Sequence, residues 1–333
     1  MFFKKGDFMV TFEEIDSYLE KGIALLDAAE QPQELYNPIR YILSIGGKRI
    51  RPKLCLLTYS LFKDTIDDAA IYPALGLEIF HEFTLIHDDI MDKSDMRRGM
   101  PTVHKKWNDN IAILSGDVMS ILAYKYMAKA PVDKLPEILK LFTTTAIQIC
   151  EGQQYDMNFE TAPIVTTDEY MEMIGLKTAV LLACSAKMGA IAAGASTRYA
   201  EALYNFGYNL GIAFQITDDY LDTFGDPAIF GKKIGGDIVN NKKSWLNVEC
   251  TRIANGEDAQ NWKSICSMGA DEAESKIAAA KELYIKLGIK ERAEKEIEKY
   301  YSKALSELET LPISEEQLEQ LHKYARKITF RDK

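Results

Sequence analysis

The pattern Asp88-Asp89-Ile90-Met91-Asp92 recurs once, at Asp218-Asp219-Tyr220-Leu221-Asp222. On a helix, carboxylates at i, i+1 and i+4 fall within an arc of about 100° and span roughly 6 Å of axis, so each triplet occupies one face. Like charges this close repel, and burying them unpaired is costly. Such a triplet is stable mainly where water or a hard cation compensates it. A single acidic triplet is ordinarily a solvated helix face, but both copies here stand in core-like company. Ile86, Ile90 and Met91 flank the first, and Phe214, Ile216, Tyr220 and Leu221 flank the second. Two copies in such company point away from a solvated face and toward acidic faces that need compensation.

With 333 residues and 47% hydrophobic content the chain can bury a large core. No linker rich in Pro, Gly or Ser divides it, so a single domain over 1–333 is expected, with residues 1–10 or so a poorly ordered extension. The formal charge of −10 argues against nonspecific binding to nucleic acid or anionic membrane, so any anionic ligand needs local clusters of Lys and Arg. The five cysteines, Cys55, Cys150, Cys184, Cys250 and Cys266, show neither a CxxC pair nor histidines at zinc spacing, and read as reduced core thiols. Residues 1–6 lack the apolar run of a signal peptide, and the most apolar region, Ala179 to Ala195, is broken by Lys187. A cytoplasmic protein without stable membrane insertion is expected.

Punctuation along the chain is that of an all-α protein. Thr11-x-x-Glu14, Thr166-x-x-Glu169 and Ser314-x-x-Gln317 have capping-box form, each ahead of apolar residues at helical spacing, and no strand-like alternation occurs. Helices are predicted near 11–29, 33–44, 52–63, 68–93, 109–129, 134–160, 167–195 with a break, 198–223, 242–254, 271–308 with a break, and 314–328. The small residues of 183–195 read as close core packing in a bundle.

Gly46-Gly47-Lys48-Arg49-Ile50-Arg51-Pro52 combines a tight turn, a proline suited to the first position of a helix, and three cations beside the opening N–H groups. That is a candidate anion site. Arg97 and Arg98, just past the first triplet, and Lys177 add further cations. After the second triplet a glycine-jointed loop carries Lys232, Lys233 and Asp237, then Lys242, Lys243 and Trp245. Two aspartate clusters could coordinate several Mg²⁺ ions, which commonly bridge carboxylates to substrate phosphates. No Ser-His-Asp or Cys-His grouping suggests a covalent nucleophile. The implied chemistry is metal-assisted departure of diphosphate from a hydrophobic substrate.

The two triplets, residues 46–52, Arg97-Arg98-Gly99, Phe214-Gln215 ahead of Asp218, and the loop 231–245 together resemble the trans-isoprenyl diphosphate synthases of the farnesyl and geranylgeranyl type. The resemblance runs from about residue 35 to the C-terminus. It implies an isoprenoid-synthase-type helical bundle around a deep central cavity, normally a homodimer, that condenses an allylic diphosphate head-to-tail with isopentenyl diphosphate. By the family pattern Asp88, Asp89 and Asp92, with Asp218, Asp219 and Asp222, hold three Mg²⁺ ions. Arg97, Lys177, Lys232 and Lys242 contact the allylic diphosphate, and Gln153 supports that site. The isopentenyl diphosphate lies on Lys48, Arg51, His81 and Arg98, with Arg49 beside them, while Thr178 and Gln215 stand next to the allylic cation. Arg326, Lys327 and Arg331 are candidates to close over the second anion.

His87, His104, Tyr220 and Trp245 read as packing or hydrogen-bonded core residues, since Mg²⁺ prefers oxygen. A terpene cyclase of the same class needs no second diphosphate site, which residues 46–52 and Arg98 supply. A noncatalytic subunit would be expected to have lost a triplet, and both are intact. Product length, in the family, is set just upstream of the first aspartate. Thr84 lies one turn before Asp88 on nearly the same face; Phe83 is the family's plug position. One aromatic and one Thr there favour a C15 to C20 product, with C20 ahead.

Overall fold

Helix starts follow the local chemistry. The Glu14 N–H donates to the Thr11 hydroxyl at 3.2 Å while the Thr11 N–H donates to the Glu14 carboxylate at 2.8 Å. The same reciprocal box stands at Thr166 with Glu169 and at Ser314 with Gln317, so each box satisfies two of the N–H groups that a helix end leaves unpaired. The structure, a computed structural model, describes residues 10–24, 26, 31–226 and 234–330. Lys232, Lys233, Arg331 and nearly all of the expected N-terminal extension lie outside the described residues.

In order, the helices are α1 (Phe12–Ala24), α2 (Gln33–Ser44), α3 (Ile50–Ser60), α4 (Asp68–Met91), α5 (Val103–Lys106), α6 (Asp109–Met127), α7 (Leu135–Thr161), α8 (Thr167–Ile174), α9 (Val180–Ala192) and α10 (Thr197–Phe224). They continue with α11 (Gly236–Val239), α12 (Trp245–Ile253), α13 (Gly256–Ser267), α14 (Ala273–Lys286), α15 (Ile289–Leu308) and α16 (Glu315–Thr329). The break expected within 167–195 is a π-helical turn, Gly175–Ala179, closed by the Val180 N–H on the Gly175 carbonyl. The break within 271–308 falls at Gly288, whose φ is 67°.

Several details depart from expectation, among them the short helices α5 and α11, which fall outside every predicted span. A minimal hairpin pairs Met96 with Pro101 and Arg97 with Met100, where no strand was expected. Its turn residues, Arg98 and Gly99, have φ of 51° and 77°, the left-handed pair that tight hairpins require. α3 begins at Ile50, with Arg49 left-handed ahead of it, so Pro52 is the third helical residue and not the first. A proline is tolerated there because first-turn N–H groups have no intrahelical partner. Helix α13 was unforeseen because it is largely polar, burying only Trp262 and Ile265. Finally, Cys150 is exposed, whereas Cys55, Cys184 and Cys250 are buried.

The described residues divide into two compact units. One holds residues up to Thr143 together with Cys184–Tyr204, the other Thr144–Ala183 and residues from Asn205 onward. In the first unit α4 packs against α1, α2, α3, α5 and α6. A Cβ at Gly116 on α6 would sit 2.3 Å from the His87 ring on α4, and one at Gly76 on α4 would sit 3.1 Å from the Ala123 carbonyl on α6. These two glycines let the helices approach closely. In the second unit Tyr170, Ile212, Ile216, Trp245, Leu246 and Tyr284 belong to one buried cluster.

Two segments, Asp68–Met91 and Thr167–Ala192, are long and apolar enough to cross a membrane by length and composition. Of their most apolar windows 61% and 78% are buried inside the protein, which marks them as core. On α6 a stripe of apolar side chains is exposed instead: Ile113, Leu114, Ile121 and Tyr124, with Ile121 at 67%.

Gly189 tests the core. A Cβ there would lie 2.1 Å from the Cys55 carbonyl oxygen and 2.3 Å from the Thr58 hydroxyl. Gly189→Ala is expected to destabilise the protein by about 1–3 kcal/mol, the usual cost of overpacking, read as a lower urea midpoint at unchanged slope.

Candidate active site

The first triplet closes α4. Asp89 is 1% exposed, and both its oxygens accept from Arg97, Oδ2 from Nε at 2.8 Å and Oδ1 from Nη2 at 2.7 Å. Arg97 reaches Asp88 more loosely, at 3.7 Å. Burial pushes the Asp89 carboxyl above its ordinary range, opposed by Arg97. Asp88 is half-buried and Asp92 exposed, so of the three carboxylates the inner one is the most withdrawn from water.

The basic turn before α3 is built around two buried glutamates on α4. Arg49 donates to Glu78, to Glu82 at 3.2 Å and to the Leu43 carbonyl at 2.7 Å. Arg98 donates to Glu82 at 2.9 Å and to the Gly46 carbonyl. Its guanidinium lies over Gly47, where a Cβ would come within 2.8 Å of it, so this glycine is required for the contact. Arg51 meets His81 Nε2 at 3.0 Å, and burial, reinforced by four nearby arginines, holds the His81 pKa well below its ordinary value. His81 is thus a neutral acceptor for Arg51. Lys48 is exposed at the tip of the turn.

In the second unit the inner aspartate is again the buried one. Asp219 is 4% exposed; its Oδ2 accepts from the Tyr170 hydroxyl at 2.5 Å and the Trp245 backbone N–H at 2.7 Å, and its Oδ1 from Gln215 at 3.1 Å. Gln215 in turn accepts from Thr178 at 2.9 Å. Burial raises the Asp219 pKa against these donors and Lys242. Asp222 Oδ2 accepts the Asp237 N–H at 3.0 Å, tying the triplet to the start of α11. Lys177 sits in the π-helical turn and donates to Asp156 at 2.6 Å. Burial opposes the Asp156 charge, yet Lys177 and Lys242 outweigh it and hold that carboxyl low. The turn fits because α7 carries Gly152, where a Cβ would come within 2.3 Å of the Lys177 nitrogen. Gln153 follows it on α7.

The expected residues thus fall into two groups. Lys48, Arg49, Arg51, His81, Phe83, Thr84, Asp88, Asp89, Asp92, Arg97 and Arg98 belong to the first unit, and Gln153, Lys177, Thr178, Gln215, Asp218, Asp219, Asp222 and Lys242 to the second. Sequence reasoning missed Glu78, Glu82, Tyr170 and Asp156, and quoted Asp237 without giving it a role. Two glutamates four residues apart inside an apolar helix were a usable signal for the first pair. Asp237 follows two glycines in the quoted loop; burial, then the charges of Asp219, Asp222 and Asp156, push it up to about 7 against Lys242.

A family model described as polyprenyl synthetase matches residues 32–284. The chain belongs to the polyprenyl synthetase family. This polyprenyl synthetase is 42% identical over 229 residues to a geranylgeranyl diphosphate synthase of Methanosarcina mazei, covering 68% of this chain and 70% of that one. It is 40% identical over 236 residues to a geranylfarnesyl diphosphate synthase of Natronomonas pharaonis, covering 66% and 69%. Its fold matches a crystal structure of a geranylgeranyl pyrophosphate synthase with a TM-score of 0.93 at 40% identity, covering 98% and 100% of the two chains. A Corynebacterium glutamicum geranylgeranyl pyrophosphate synthase, complexed with isoprenyl diphosphate and magnesium, matches with a TM-score of 0.82 at 26% identity over 96% and 98%. The polyprenyl synthetase is accordingly an all-α short-chain trans-prenyltransferase.

Its acidic residues suit a hard divalent cation. The triplets offer only oxygen donors, and among the described residues no three Asp, Glu, His or Cys groups form a closed cage. Open carboxylate rows fit an ion such as Mg²⁺, which keeps several waters and takes one or two carboxylates plus substrate phosphates.

Glu82 is expected to give the stability of the chain a pH dependence. Burial, then the neighbouring Glu78, push its carboxyl up to about 7 against Arg98 and Arg49. A pKa raised on folding contributes stability in full below the unfolded value near 4.5 and loses it as pH rises through about 7. Glu82→Gln fixes the neutral form. Urea unfolding between pH 4.5 and 7.5 is expected to show a shallower fall in stability for the variant than for the wild type; parallel curves would count against it.

Proposed function

We propose that the chain condenses an allylic prenyl diphosphate (dimethylallyl, geranyl or farnesyl) head-to-tail with isopentenyl diphosphate and releases C15 to C20 prenyl diphosphates, C20 favoured. The observation that carries the reading is the shared design of the triplets, in which the inner aspartate of each is buried and held by several protein donors while the neighbouring aspartates are less buried. Asp88, Asp92, Asp218 and Asp222, backed by Asp89 and Asp219, would hold three Mg²⁺ ions. Bound there, the ions supply positive charge against the leaving diphosphate as the allylic C–O bond ionises.

The remaining roles follow from the chain's own side chains. Arg97, Lys177, Lys232 and Lys242 neutralise the allylic diphosphate, and Gln153 supports that site. Lys48, Arg51 and Arg98 hold the isopentenyl diphosphate. His81 orients Arg51 by accepting its N–H, and Arg49 shapes the turn through Glu78 and Glu82. The Thr178 and Gln215 oxygens place dipoles by the allylic cation, and the departed diphosphate accepts the proton lost after attack by the isopentenyl double bond. The exposed apolar stripe on α6 supports a homodimer, and the burial of the two apolar segments supports a protein without stable membrane insertion.

Incubation with radiolabelled isopentenyl diphosphate and each allylic primer, with product length read by chromatography, tests the reaction. Asp88→Ala and Asp218→Ala are each expected to reduce turnover by roughly 10²–10³-fold or more, with helical circular dichroism unchanged. Near-normal activity of either variant in saturating Mg²⁺ removes the metal assignment.

Chain length has its own test. The Phe83 ring packs on Phe80 at 5.4 Å and His87 at 4.8 Å, and the Thr84 hydroxyl donates to the His81 carbonyl at 2.7 Å. A ring held on both sides is a firm stop for a growing chain. Phe83→Ala is expected to lengthen the product by one or more isoprene units and Thr84→Phe to shorten it toward C15. An unchanged distribution for Phe83→Ala would put the stop elsewhere.

A further inference from the structure

Along α4, Phe80, Phe83 and His87 stand at i, i+3 and i+7, which sets their rings in one column on one face. Phe80 meets Phe83 at 5.4 Å between ring centroids, and Phe83 meets His87 edge to face at 4.8 Å. Away from the first triplet the column runs into the core, where the fully buried Phe142 ring closes on Phe80 at 5.1 Å and on Tyr124 at 4.9 Å. Phe80 is buried as well, so the neighbour of Phe83 on that side has no room to move aside. The side toward the triplet is different. Phe83 and His87 are only part-buried, and the Phe83 ring keeps its place there as long as the imidazole keeps its own.

The imidazole is fixed from α6. Its Nε2 lies 3.0 Å from the Ile113 carbonyl oxygen, an atom that can only accept, so Nε2 carries the proton and donates it. The Asp117 carboxylate, 3.9 Å from the same nitrogen, is beyond hydrogen-bond range. Gly116 makes the seat for the ring, since a Cβ there would come within 2.3 Å of Nε2. A helical side chain leans over the turn before its own Cα, which carries the His87 ring toward Phe83. The chain therefore spends a glycine on one helix and a hydrogen bond to its backbone on holding one imidazole of the other helix against a phenyl ring.

We propose that His87 is a positioning residue for product length: bonded to the α6 backbone, its imidazole braces the Phe83 ring against the growing chain. The assignment rests on the reading of Phe83 as the stop, and His87 acts through that ring. Removing the imidazole leaves space into which the phenyl ring swings, and the floor under the growing chain drops by part of a ring. The seat at Gly116 belongs to the same device, because any side chain at that position pushes the imidazole off its bond to Ile113. Product length is thereby tied to how closely α4 and α6 approach.

The test compares products by chromatography at equal, low conversion and a fixed substrate ratio, so that a slow variant is read by where its chains stop and not by how fast they grow. His87→Ala is expected to raise the ratio of the next longer product to the main wild-type product by roughly two- to tenfold, the size that follows from losing one ring pair. Gly116→Ala displaces the imidazole from a position remote in sequence from the triplet. It is expected to shift the ratio the same way, and it decides the matter if His87→Ala does not fold or forms no product. In a Phe83→Ala background neither substitution should add to the shift that Phe83→Ala produces alone. The proposal is overturned if the folded His87→Ala enzyme keeps the wild-type distribution, or if its shift persists undiminished in the Phe83→Ala background. An unchanged distribution for Phe83→Ala by itself is a different result: it removes the stop reading, and this proposal with it.

Discussion

Everything at the two acidic faces depends on how one carboxylate in each triplet is buried. A carboxylate out of water must be given donors or lose its charge. Asp89 is given a two-pronged arginine, whereas Asp219 is given a phenol, an amide and a backbone N–H. The two solutions are chemically different and reach the same end. Each fixes the last turn of a helix in orientation, so the neighbouring aspartates are presented by a rigid base and the surrounding core is undisturbed. The same logic operates at Glu78 and Glu82, whose buried carboxyl groups set where Arg49 and Arg98 can lie.

Much of this was legible in the sequence because the decisive signals are local. Capping boxes at Thr11, Thr166 and Ser314 mark helix starts within four residues, and spacing alone puts the aspartates of a triplet on one face. The cations of residues 46–52 are likewise written in one short stretch. What was illegible pairs residues far apart in the chain. Tyr170 reaches Asp219 across 49 positions, and Arg98 reaches the Gly46 carbonyl across 52. No periodicity encodes such contacts. Helix α13 escaped for the opposite reason: its local pattern is too polar to stand out, and tertiary contacts through Trp262 and Ile265 hold it.

Residues that share a motif also divided in role. Arg49, Arg51 and Lys48 read as three equivalent cations, yet Arg49 is nearly enclosed by two glutamates and a carbonyl, Arg51 is oriented by a neutral imidazole, and Lys48 is the exposed one. Charge type was visible in the sequence; solvent exposure, which decides what each charge can still bind, was not.

The π-helical turn at Gly175–Ala179 carries a consequence for how the gene can change. Such a turn is one residue wider than an α-helical one, so it is equivalent to a single-codon insertion accommodated without breaking the helix. Loss of one codon there would restore an unbroken α-helix and rotate the residues on one side of the deletion by about 100° relative to the other. Lys177 with Asp156, and Thr178 with Gln215, could not then both keep register with the helix on either side. Length variation at this point would thus be silent for helix formation and severe for the chemistry, the reverse of what a deletion in a surface loop would do.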